Sequence, residues 1–392
     1  MKTMSLALLG VAALLLAGES MGACTWKSIA DGDLSAAATW EIESGTPALG
    51  QTVPAAGDSI HVLGHSVFMD SNTDFETVTL GASGKIIGSQ NSMTAPVDVV
   101  HNWKNLVLDT GNVTLTEGRK PGFVTYNIDS MTGNGDGNFT CAYFAANTAE
   151  EQTIPVVNFK GDVNWVTSQG FPFYPLNFNG TFYNLTKLVF SGDNASVSLP
   201  TPGNIDVNMV TVEAGKTVTF KSGKFNMSMG LVSQEFGNFE IDGTALFETP
   251  AFVWSYAGTG AIKVNAGGVI GTNFSGGIAS TDSASWGNGS VVGSTIEFDP
   301  AGGVMYFGSE NQVTGDLLPA AVGNLVLDKT GGVLTLSADL SSEAMSLLNG
   351  TLSTEGSYTL TGPRDGKLIR TNGQVTGPNW TPFAGVSDWS LM

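Results

Sequence analysis

The sequence predicts an all-β protein, a single right-handed parallel β-helix (a β-solenoid) with caps at its two ends. Three observations carry that prediction. Short runs of alternating apolar and polar residues are broken by glycine turns at close spacing, most densely over Pro54–Gly88. The 51 glycines and 15 prolines, against 13% charged residues, favour many turns over helices. Local patterns also recur at intervals of about twenty residues, the length of one solenoid coil.

Along the chain, residues 1–23 read as a signal peptide. Lys2 supplies the positive charge, Met4–Ala17 is an apolar run too short to span a bilayer, and small and polar residues follow. No later apolar run reaches the roughly eighteen residues of a membrane-spanning helix. A secreted or cell-surface protein is therefore expected, its mature chain starting at Ala23 or Cys24. The two cysteines, Cys24 and Cys141, are expected to form a disulfide in an oxidising compartment. The alternative is lipidation: Met21-Gly22-Ala23-Cys24 is an imperfect lipobox whose Cys24 would carry the anchor and exclude the disulfide.

Residues 24–53 read as an N-terminal cap segment, in which Trp26 and Trp40 bracket a small polar loop and offer rings to cover the open end of a core. Residues 54–362 read as the solenoid. Asn158-Phe159-Lys160-Gly161 and Asn177-Phe178-Asn179-Gly180 share a pattern nineteen positions apart, suggesting adjacent coils. Val212–Phe220, Val264–Ile270 and Phe298–Phe307, with Leu80–Ile87 as a looser copy, each place a short Ala/Gly turn between apolar strands, where a coil must change direction. Asn105–Asp109 and Asn324–Asp328 both read NLVLD and lead into a further strand, with Lys187–Leu199 a weaker third copy. Within these, Leu325, Leu327, Leu334 and Leu336 are candidate inward residues. Leu340–Leu348 is the one helix-like stretch, and its place in the repeat makes it strand or loop. Residues 363–392 read as a C-terminal cap segment whose Trp380, Phe383 and Trp389 cover the last edge strands. The same three rings are candidates for a sugar-binding platform.

A resemblance joins these residues. Trp40, Pro54, Gly57-Asp58, Ile60, Val62, Gly64-His65, Val67, Asp70, Val78, Leu80 and Gly84 look like the first module of secreted β-helix proteins and resemble the glycine-rich G8 domain. Asn349–Gly362 resembles repeat units of bacterial surface and adhesin-like proteins. The resemblance implies a bacterial-type surface β-helix whose partners are extracellular glycans or cell-surface components.

The net charge of −19 repels phosphate backbones, so nucleic acid is not an expected partner. His61 and His65, four apart near Asp58, invite a metal, but strand geometry does not put both rings on one face, and His65 reads as a structural turn residue. His101 has no partner visible in sequence. Asp129, Asn134, Asp136 and Asn138 have the spacing of the start of a calcium loop, yet Ala145 stands where its last acidic ligand belongs, and an Asx-rich turn is the plainer reading. No cofactor is expected, with calcium the one candidate. Neither HExxH, CxxC nor GxSxG occurs. The expectation is an exported, non-enzymatic surface-structural or adhesive solenoid with glycan binding as a candidate activity and no catalytic residues. The alternative is a polysaccharide lyase or hydrolase of the pectate-lyase-like class, which needs converging carboxylates and a basic residue. The three arginines, Arg119, Arg364 and Arg370, weigh against it.

Overall fold

The computed structural model describes residues 23–88, 98–118, 123–134, 137–143, 155–165, 173–174, 176–178, 181–183, 186–199, 205–222, 224–227, 238–248, 252–255, 261–281, 291–292, 295–364 and 367–381. Among them there is no α-helix, and the one helical turn is a 3-10 turn at Ala37–Thr39. Strands pair in parallel from Thr25–Ser28 to Trp380–Thr381, forming a 25-stranded and an 11-stranded sheet. The protein is thus a β-solenoid.

Each coil runs through up to three strand positions. One stack carries 99–103, 124–128, Val156–Phe159, Lys187–Phe190 and Met209–Val212 in register. The second continues each coil, with 77–80, 105–108 and 130–133 pairing in turn. The third is the 11-stranded sheet, which includes Ser66–Phe68, Lys85–Ile87, Asn112–Gly118 and Asn138–Tyr143. Alternate residues point inward, so a residue buried in one coil stacks on the buried residue of the next. Val62, Leu80 and Leu108 form one such column, all at 0% exposure. The expected inward leucines behave this way: Leu325, Leu327 and Leu334 are fully buried and Leu336 nearly so.

Aromatic rings fill the middle of the core. Phe220 meets Phe190, Phe225, Phe239 and Phe247 with ring centroids 5.1, 5.5, 5.8 and 5.2 Å apart. Edge-on and offset contacts at these separations are the favourable geometries for rings, and each buried phenylalanine also stabilises the fold by about 1.5–3 kcal/mol through burial. A single coil cannot shelter such rings. Stacking is therefore what makes the coil stable, as in other quasi-one-dimensional folds.

The three close copies of the Ala/Gly turn lie at one corner, whereas the looser copy, Leu80–Ile87, turns at another. Val264 pairs with Phe298 before that turn and Val269 with Gly303 after it, so successive copies stack. A second corner explains two glycines directly. A Cβ on Gly84 would lie 2.0 Å from the Val62 carbonyl oxygen, and one on Gly111 would lie 2.5 Å from that of Gly84. Backbone must pass against backbone there.

Three expectations need correction. Asn158 pairs with Val189, whereas Asn177 lies in Leu176–Phe178, which forms an antiparallel hairpin with Thr181–Tyr183. The nineteen-residue likeness is local and does not mark adjacent coils. Coil length varies widely: Ser59 pairs with Thr77, 18 positions on, and Val264 with Phe298, 34 positions on. The solenoid also exceeds 54–362 at both ends, because Thr25–Lys27 already pairs in parallel with Ser59–His61, and Leu368–Arg370 and Gln374–Thr376 extend the last coils. What caps the N-terminal coil is Trp40–Ser44, which folds back antiparallel on Thr25–Ser28. The helix-like stretch is strand, within Leu340–Ser353.

Candidate functional site

The N-terminal end is organised by Asp58, a carboxylate only 6% exposed. It accepts the Cys24 N–H at 2.8 Å, the Trp26 indole N–H at 2.9 Å, the Gln51 amide at 2.6 Å and the Ala55 N–H at 2.9 Å. A buried carboxylate is tolerated when donors surround it, and here they join the first coil to the cap. Trp26 and Trp40 are both buried, the latter donating to the Leu34 carbonyl at 3.0 Å. His61 pairs with Glu43 at 2.6 Å, while His65 lies 3.1 Å from the Ser28 hydroxyl. The two histidines bond different residues: His61 lies within the strand Ser59–Leu63, and His65 stands at the bend that follows it.

Against this cap, a cleft of about 300 Å³ opens toward the coils that carry Thr73–Gly81 and Val99–Leu108. Val53, Pro54 and the buried Phe75 give it an apolar lining; Asn72, Asp74 and Asn102 supply polar groups at its rim. The Asn72 side-chain oxygen accepts the Val100 N–H at 2.8 Å, which pins that amide. Asp74 is exposed, and its own carbonyl takes the Gly57 N–H at 2.8 Å.

From Asn102 a polar column climbs the outside of the solenoid. Asp74, Asn102, Asn127 and Asn158 are register partners on successive coils. The Asn127 amide donates to Asn102 Oδ1 at 2.9 Å, the Asn158 amide to Asn127 Oδ1 at 3.1 Å, and the Ser191 hydroxyl to Asn158 Oδ1 at 2.7 Å. Every bond points the same way, toward the cleft.

Beneath this face lies a buried polar network. His101 is fully buried, with Nδ1 3.1 Å from Thr73 Oγ1 and Nε2 3.3 Å from the Gly88 carbonyl. The Gly88 carbonyl can only accept, so the neutral ring carries its proton on Nε2 and its Nδ1 accepts from the Thr73 hydroxyl, whose Oγ1 in turn accepts the Trp103 indole N–H at 3.0 Å. Burial lowers this imidazole to about 4, opposed by the bond to Gly88. A second buried group, Lys329, donates to the Glu310 carbonyl and to Gln312 Oε1, both at 2.6 Å. Burial lowers its ammonium, and the charge of Glu310 acts the other way.

The remaining sequence-derived candidates do not converge. Gly32–Asp33, Ser66–Phe68, Lys85–Ile87, Asn112–Gly118 and Asn138–Tyr143 pair in succession. Cys24 adjoins the first of these coils and Cys141 lies on the last, so four steps of about 4.8 Å put them about 19 Å apart along the axis. A disulfide tolerates a Cα separation of at most about 7 Å, and the expected pair is not within reach. Burial, and then the charge of Asp58, push the Cys24 thiol up. Asp129 and Asn134 stand at opposite ends of the extended 130–133 segment, about 16 Å apart, too far to share one cation with Asn138. Asp136 lies outside the described residues, as do residues 1–22, Arg119, Phe383 and Trp389. Among the described residues no three His, Cys, Asp or Glu side chains are grouped to hold a metal. Trp380 is half-buried against the core and donates to the Gly362 carbonyl at 2.9 Å, so its ring covers part of the last coil.

Comparison with protein-family models, curated proteins and solved structures gives no match for this chain. The cleft and its column were missed in the sequence because their members are unevenly spaced. Asn102, Asn127 and Asn158 are separated by one coil each, yet by 25 and then 31 positions. The usable signal was their shared context, an outward Asn in an alternating apolar strand.

Proposed function

We propose that the protein is an exported, non-enzymatic β-solenoid that acts as a surface-structural or adhesive element. The observation that carries this reading is the outward column from Asp74 through Asn158, in register on successive coils above a core locked by aromatic stacking. Such a face repeats one kind of polar group at the inter-coil spacing of about 4.8 Å, which suits contact with an extended, repeating partner. The acidic charge adds to the case, since it keeps an exposed rod soluble and apart from anionic polymers.

The test is cell fractionation of the native host with an antibody to the folded protein, alongside attachment of a deletion strain to its natural surface. The protein is expected in the envelope or medium, with attachment reduced in the deletion strain. Recovery in the cytosol, or unchanged attachment together with turnover of a polysaccharide, would overturn the proposal.

A further inference from the structure

We infer that the cleft between the cap and the first coils binds one neutral hexopyranose unit of an extracellular glycan, gripping adjacent hydroxyls between Asp74 and the amides of Asn72 and Asn102. This deepens the adhesive reading and rests on it for the setting in which a glycan is met. The chemistry of the rim selects the ligand. Asn72 and Asn102 each have their side-chain oxygen engaged, by Val100 N–H and by the Asn127 amide, which leaves the –NH₂ of each as the group for a ligand. Asp74 adds an acceptor-only carboxylate next to them. A cation would meet two amide N–H donors, and an anion would meet a carboxylate on a chain of net charge −19. A hydroxyl both gives and accepts, so a pair of neighbouring hydroxyls answers both kinds of group.

The shape agrees with this. Half-buried Val53 gives the cleft an accessible apolar edge for the C–H face of a sugar ring, with the buried Pro54 and Phe75 behind it, and about 300 Å³ lies at the small end of ligand pockets. The column outside the cleft supplies preorganisation. Its bonds run from Ser191 through Asn158 and Asn127 to Asn102, so each amide polarises the next and the chain ends on the Asn102 donor at the rim. A site whose donors are already oriented loses less entropy on binding.

The test is calorimetric titration of the mature protein with gluco-, manno- and galacto-configured neutral hexasaccharides, with oligogalacturonate as the anionic comparison. At least one neutral probe is expected to bind with a dissociation constant below about 1 mM, and the anionic probe not to bind. Asp74→Asn and Asn102→Asp each keep the side-chain shape and are expected to weaken binding about tenfold. Asn349→Asp, in a similar column at the far end, is the control and is expected to leave affinity unchanged. Thermal melts of all three variants establish that they fold. Failure of every neutral probe to bind the folded protein, or equal affinity in the Asp74 and Asn102 variants, would overturn the inference. Binding by a protein that fractionates with the cytosol would instead overturn the surface reading and leave the cleft assignment standing.

Discussion

Acidification should loosen the N-terminal coils through one residue, His101. Its imidazole titrates near 4 in the folded protein because burial penalises the cation, against an ordinary value of 6.5. As pH falls through 6.5 the unfolded chain takes up a proton that the folded chain refuses. The stability contributed by the neutral ring is therefore complete above pH 6.5, declines as pH falls, and levels off below about 4. The ceiling is then about 3 kcal/mol, with about 2 kcal/mol lost by pH 5 and nearly all of it by pH 4. The loss belongs to the coils that hold the ring, since His101 is stacked against Trp103 and Tyr126 with centroids 5.9 and 4.9 Å away. Hydrogen exchange of peptides covering 99–108 and 124–133, measured between pH 7 and 4 after correction for intrinsic rates, reads that local free energy. Carboxylates titrate in the same window, so the comparison is with His101→Gln, which keeps a donor for the Gly88 carbonyl but cannot ionise. The wild type minus variant difference should fall by about 3 kcal/mol from pH 7 to pH 4. A difference that stays flat over that range would refute the assignment.

Other perturbations test the scaffold. Asp58→Asn replaces an all-acceptor group facing four donors, and should cost about 3 kcal/mol and open residues 24–58 to limited proteolysis while the distal coils stay protected. Phe220→Ala removes the ring shared by four neighbours and should cost about 3–5 kcal/mol in urea denaturation. Gly84→Ala drives a methyl into the Val62 carbonyl and should cost about 1–3 kcal/mol, whereas Gly356→Ala, with nothing within 4 Å, should leave the melting temperature unchanged.

The sequence made the architecture legible wherever the signal was local. Alternation exposed the inward leucines of 325–336, and the Ala/Gly turns marked one corner, because both depend on neighbours a few residues away. Coil assignment failed where it depended on length. The coil varies from 18 to 38 positions, so Asn158 and Asn177 looked equivalent while their true partners lay elsewhere. Asp58 is a further case: in the chain it is an ordinary Gly-Asp turn residue, and only the return of Cys24 and Trp26 beside it makes it a buried anchor. The cysteines misled for the same reason, since pairing them requires knowing how many coils lie between.

The placement of Asp58 has a mechanical consequence. Hydrogen bonds between coils run along the solenoid axis, so a pull on the N-terminal strand is not shared among all coils but falls on the outermost one. Peeling would proceed bond by bond. The carboxylate that ties the Cys24 N–H and the Trp26 ring to the next coil is the first obstacle to that peeling. Together with the backbone ladder of Thr25–Lys27 on Ser59–His61, it resists the first step of unravelling, before the aromatic interior is loaded.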